Sequence, residues 1–206
     1  LYTDEMSFGV FAAYGSLVYA TPPIGGMLAD RILGYRKAII WGGILMAIGH
    51  LVMAIEHEAF FYTALGLIIV GNGFFKPNIS SFVGALYQGK EGKKDAGFTI
   101  FYLGINLGGM LAPLLCAWLG EEYGWHYGFG LAGIGMLAGL FVFRLGINSN
   151  VFGGKGLEPD QTLASPNPKK AENWVMICSL LAVPLLALLV VYNQYEQYLM
   201  TALVRG

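Results

Sequence analysis

The chain is short of charge. Only 12% of its 206 residues are Asp, Glu, Lys or Arg, while 56% are hydrophobic. A typical soluble domain carries about 25% charge, so an ordinary water-soluble fold is excluded. No basic stripe with interleaved aromatics is present either, which excludes a nucleic-acid partner. Cysteine is scarce: Cys116 and Cys178 lie in apolar stretches without pairing or ligand spacing and read as buried free thiols. No nucleophile–base arrangement, metal-ligand cluster or phosphate-binding loop is visible, so no catalytic residue, metal site or resident cofactor is expected. The three histidines are scattered; His57 and His126 read as outer-loop residues, and His50 falls inside an apolar span. The chain opens on Leu1 and shows no signal-peptide pattern. It reads as a fragment of a longer protein.

Glycine and long apolar runs are abundant instead. Thirty glycines fit membrane helices that pack closely. Runs of about 20 apolar residues are candidate spans, and six occur, near 7–29, 38–56, 60–87, 97–119, 126–146 and 173–195. Residues 147–172, with N-S-N, G-G-K-G and S-P-N-P-K-K, have linker composition. Alternate breaks carry the basic residues: Arg31, Arg36 and Lys37; Lys90, Lys93 and Lys94; Arg144, Lys155, Lys169 and Lys170. The other breaks hold Glu56, His57, Glu58, Glu121, Glu122 and His126. The positive-inside rule makes the basic breaks cytoplasmic. The first visible span then runs inward, which implies one more helix before it.

Two basic residues fall outside this pattern, Arg205 near the chain end and Lys76 inside the third span. A lysine at the bilayer centre costs about 2.5–3.5 kcal/mol on insertion scales. Lys76 lies ~17 Å from the cytoplasmic end of its helix at 1.5 Å per residue, too deep to snorkel comfortably. Pro77 follows directly and bends the helix. Asn72 lies one turn earlier on the same face, and Asn78, Ser80 and Ser81 come after. Asn106, with Tyr102 one turn before it, and Tyr19 in the first visible span lie at about the same depth. These side chains are candidates to line one central cavity. Gly104 and Gly108 flank Asn106 in a G-x-x-x-G spacing, which allows close helix approach. No Asp or Glu lies deep in a span, so a proton-driven machine would need carboxylates from outside this chain.

Three stretches carry a family resemblance. Gly25–Ala38 reads G-G-M-L-A-D-R-I-L-G-Y-R-K-A, Gly71–Asn78 reads G-N-G-F-F-K-P-N, and Phe98–Met110 reads F-T-I-F-Y-L-G-I-N-L-G-G-M. They resemble, in family order, the signature motifs of the proton-dependent oligopeptide transporters (the POT or PTR family) of the major facilitator superfamily, as in a bacterial member. The resemblance covers about residues 1 to 170. It implies an all-α membrane protein of twelve transport helices in two bundles. Residues 1–146 are then helices two to six of the N-terminal bundle, which lacks its first helix here. Residues 147–172 become a cytoplasmic linker. Residues 173–206 become an accessory helix inserted between the bundles, with the seventh transport helix as the alternative.

The resemblance also assigns residues. Lys76 matches the lysine of proton coupling and of the peptide carboxylate. Tyr19, Tyr102 and Asn106 match peptide-pocket residues. Asp30 and Arg31 match the gating turn. The family's E-x-x-E-R-F motif is absent, and no histidine stands near Ala12–Tyr14, so a histidine-based coupling step is not expected. The implied function is proton-coupled import of di- and tripeptides across the cell (inner) membrane, with the proton as coupling ion. Membrane lipid, the first helix and the C-terminal bundle are the implied partners. Nitrate or another small anion is the alternative cargo; a scaffold would have no use for Lys76.

Overall fold

The computed structural model describes residues 4–159 and 167–205. The described residues form helices and turns. The order is α1 (Asp4–Ala20), α2 (Pro22–Leu28), a π-helical turn (Ala29–Leu33), α3 (Gly34–Met53), α4 (Glu58–Leu86), α5 (Glu91–Tyr123), α6 (Trp125–Asn148) and α7 (Pro168–Arg205). The side chain of Arg205 and part of the expected linker, 160–166, lie outside the described residues.

Among the described residues, five helical runs are long and apolar enough to cross a bilayer, which makes this a multi-pass membrane protein. Six were expected. The first two expected spans are joined as one helical run, Met6–Met53, broken in direction at Gly34, where φ is +70° and ψ 161°. Only glycine adopts that conformation without strain. A Cβ there would also lie 2.3 Å from the Leu157 carbonyl oxygen.

Helix α4 is the central element. His57 caps its N-terminus by accepting from the Ala59 N–H at 3.2 Å, and Glu58 complements the dipole in its first turn. Ala64, Ile69, Phe74 and Phe82 are among its buried side chains. On one side α3 crosses it closely: a Cβ on Gly42 would come within 2.6 Å of the Gly71 carbonyl oxygen. Helix α6 packs on α3, and α7 packs on α1 and α4. Helix α5 packs mainly on α6 and leaves most of its length bare. Both cysteines are free, but neither is buried; Cys116 is half-buried and Cys178 exposed. The expectation of buried thiols fails because these helices turn much of their apolar surface outward, as membrane helices do.

Helix α7 is attached by polar contacts at three levels. Lys37 Nζ donates to Glu172 Oε2 at 2.7 Å, Trp41 Nε1 donates to Ser179 Oγ at 2.9 Å, and the Tyr62 hydroxyl bonds Gln194. Between the last two, α4 has glycine at position 66, where a Cβ would meet the Val183 carbonyl oxygen at 2.6 Å.

The segment after α6 has structure despite its linker composition. Arg36 holds it: the backbone N–H donates to Gly156 O at 3.0 Å, Nε to Lys155 O at 2.7 Å, and the guanidinium also reaches Gly153 O. The Phe152 ring inserts edge-on against Phe82, with centroids 5.0 Å apart. Lys37 pairs with Glu158 as well as Glu172. Partial burial pushes the Glu158 carboxyl up, but hydrogen bonds from Lys37 and its own backbone, with the charges of Lys37 and Arg36, outweigh it and leave it below its ordinary 4.5.

Candidate functional site in the α1–α2–α4 cleft

The site forms where a helix break meets a mid-helix proline. The α1–α2 helix is interrupted at Thr21, ahead of Pro22 and Pro23. Proline lacks an N–H, so the ladder cannot continue unbroken through it. Opposite, Pro77 stands inside α4 and removes the N–H that would bond Gly73 O. The two helices are tied along this crossing at successive turns. Asn72 Nδ2 donates to Val18 O at 2.9 Å, and Thr21 Oγ1 donates to Ile69 O at 3.2 Å. Asn78 Nδ2 donates to Gly25 O at 3.3 Å and to Phe74 O at 2.7 Å. Between them Gly25 lies against Gly73, where an added Cβ would meet the Gly73 oxygen at 2.0 Å. Freed carbonyls at a membrane kink need such partners, because the hydrocarbon supplies none.

This crossing puts Lys76 and Tyr19 together. The Lys76 ammonium lies 4.5 Å from the centroid of the Tyr19 ring, a cation–π distance. Both side chains are exposed, Tyr19 by 73%. They open into a cleft of about 810 Å³ that also reaches Pro77, Ser80, Asp30 and Arg31. Four of the six candidate residues from the sequence therefore line one cleft. It runs from mid-helix to the π-helical turn that carries Asp30 and Arg31. The chemistry on offer is one mobile cation, an aromatic face, hydroxyls and, at the cytoplasmic end, charges of both signs. That set suits a ligand with an anionic end.

Tyr102 and Asn106 sit apart from this cleft. Both are exposed on α5, where the Tyr102 ring lies 6.3 and 5.8 Å from the rings of Phe98 and Phe101. Gly104 and Gly108 have nothing within 4 Å of an added Cβ, so the close approach expected of their spacing is not made within the described residues. On the outer face, His126 Nδ1 lies 3.0 Å from Glu56 Oε1 and joins α6 to the α3–α4 turn. Sequence reasoning missed Thr21 and the Gly25–Gly73 contact. The Pro22–Pro23 pair was the available signal for the first. Nothing local signals the second, since it joins residues 48 apart.

A profile described as PTR2, POT family, matches residues 36–162. The chain is 46% identical over 162 residues to the uncharacterized transporter YclF of Bacillus subtilis, covering 73% of this chain and 33% of that protein. It is 47% identical over 139 residues to the peptide transporter YePEPT of Yersinia enterocolitica, covering 66% and 27%. It is 38% identical over 178 residues to a di-/tripeptide transporter of Lactobacillus helveticus, covering 82% and 36%. The chain thus spans about a third of the length of these relatives. Among solved structures, a bacterial homologue of the human drug peptide transporters PepT1 and PepT2 superposes with a TM-score of 0.79 at 31% identity, covering 98% of this chain and 45% of that one. A peptide transporter POT solved with alafosfalin gives 0.74 at 39% identity, covering 90% and 38%. With the profile spanning more than half the chain and these helices superposing on solved transporters, the chain belongs to the POT family of membrane transporters.

Proposed function

We propose that this chain is part of a proton-coupled importer of di- and tripeptides that works by alternating access and performs no enzymatic chemistry. The observation that carries the reading is Lys76: an exposed ammonium inside a membrane helix, held against the Tyr19 ring at the head of the cleft. A cation at that depth is expensive unless it has work to do. A short peptide is a zwitterion, and its carboxylate suits Lys76. Relatives named as peptide transporters support the choice of cargo.

In this reading Lys76 exchanges between the Tyr19 ring, the peptide carboxylate and an acid supplied by the other bundle. A ligand that pairs with Lys76 biases the equilibrium between the two arrangements, which alternating access requires. Tyr102 and Asn106 join the peptide pocket from α5, across a face that this chain leaves bare. Asp30 and Arg31 gate the cytoplasmic end of the cleft. Membrane lipid, the first helix and the C-terminal bundle complete the machine in the inner membrane.

The test uses the full-length protein in liposomes with an imposed proton gradient. Labelled dipeptide uptake is expected in the parent and lost in Lys76→Ala. Uptake unchanged by the mutation would remove Lys76 from the mechanism. No uptake by the parent, with nitrate taken up instead, would replace the peptide by a small anion.

A further inference from the structure

We propose that Asn78 is a positioning residue for Lys76: its carboxamide locks the proline bend of α4 to α2, and so holds the Lys76 ammonium over the Tyr19 ring. The inference rests on the reading of Lys76 as the substrate-facing cation, but its geometry stands alone. Asn78 is 1% exposed, two residues beyond Lys76 and one beyond Pro77. A buried carboxamide that makes no bonds is costly. Here both amide hydrogens are used, one on Phe74 O in its own helix and one on Gly25 O in α2.

The two bonds do different things. The one to Phe74 O is local and reinforces the turn that Pro77 weakens. The one to Gly25 O crosses to the other helix. Gly25 O also accepts the N–H of Ala29, the first residue of the π-helical turn. Asn78 therefore joins the kink of α4 to the start of the segment that carries Asp30 and Arg31. Tyr19 reaches the cleft from α1, six residues before Gly25, and Thr21 and Asn72 hold that end of the crossing. Lys76 is thus set between fixed points on both sides. Without the Asn78 tie, the turn at residues 73–77, which carries Lys76 and lacks the N–H of Pro77, loses its polar anchor to α2, and the ammonium shifts off the ring.

The experiment measures the rate at which an amine-acylating reagent labels Lys76 in the detergent-solubilised full-length transporter, read by peptide mass spectrometry, with Lys93 as the internal control. The variants are Asn78→Leu, which keeps the branched shape and loses both donors, and Asn78→Ser, which keeps the local bond to Phe74 O but is too short for α2. Tyr19→Leu sets the rate for an uncovered ammonium. Both Asn78 variants are expected to raise Lys76 labelling about two- to fivefold, toward the Tyr19→Leu rate, the factor that an exposed cation–π contact is worth. Lys93 should not change. Dipeptide KM is expected to rise in the same variants with kcat less affected.

Parental labelling with only a lower melting temperature would overturn the inference and leave Asn78 a packing residue. Failure of both variants to fold would do the same. Because labelling requires no transport, the positioning role can fail while the peptide-carrier reading survives, and the reverse.

Discussion

Gly25 carries more of the site than its size suggests. Its α-carbon is the only kind that fits against the Gly73 carbonyl, since a methyl group would sit 2.0 Å from that oxygen and the obstruction is backbone. Gly25→Ala is therefore expected to push α2 off α4 and to cost about 1–3 kcal/mol, the usual range for overpacking. Thermal unfolding of the full-length protein in detergent measures this; an unchanged midpoint would mean that the crossing relaxes freely. Gly25 was legible as part of G-G-M-L-A-D-R, and Lys76 stood out by its depth alone. The pairing of Gly25 with Gly73 was not legible, because a contact between distant residues leaves no periodicity in either stretch.

At the scale of elements, α4 and the segment after α6 show opposite outcomes of reading a sequence. Helix α4 behaves as its composition says: a long apolar run, capped at His57, with Pro77 inside it. The segment around residues 150–158 does not. Its glycines and polar residues signal a linker, yet Arg36 collects its carbonyls and Lys37 its carboxylate. Backbone carbonyls have no sequence signature, so a guanidinium that binds them cannot be foreseen from side-chain pattern.

The Lys37–Glu158 pair gives this segment a pH dependence. The folded value of Glu158 is depressed, so its contribution is present above its ordinary 4.5 and is lost as pH falls through the folded value. Limited proteolysis around residues 150–158 is expected to speed up below about pH 4.5, and Glu158→Gln should cut equally fast at neutral and acid pH. A parent cleaved at one rate across that window would show that Arg36 alone holds the segment.

For the molecule as a whole, α7 is the element whose place was least determined by sequence. Its apolar run announced a span, and nothing announced the neighbour. The answer lies in polar residues of two helices, Lys37 and Trp41 on α3 and Tyr62 on α4, which each find a partner on α7. A double-mutant cycle of Trp41→Phe and Ser179→Ala is expected to show coupling of about 0.6 kcal/mol, typical for hydrogen bonds between membrane helices. Strictly additive effects would mean that the Trp41–Ser179 bond contributes nothing to holding α7.

That seam also sets a schedule for biogenesis. Its three bonds join residues 132 to 138 positions apart. At about 5–20 residues per second of synthesis, Lys37, Trp41 and Tyr62 emerge roughly 7 to 28 s before their partners exist. Through that interval the half-made chain must keep an ammonium, an indole N–H and a phenol solvated by headgroups, water or the insertion machinery. Newborn protein is thus most exposed to degradation before α7 arrives, and α7 is the helix whose arrival covers these partners on α3 and α4.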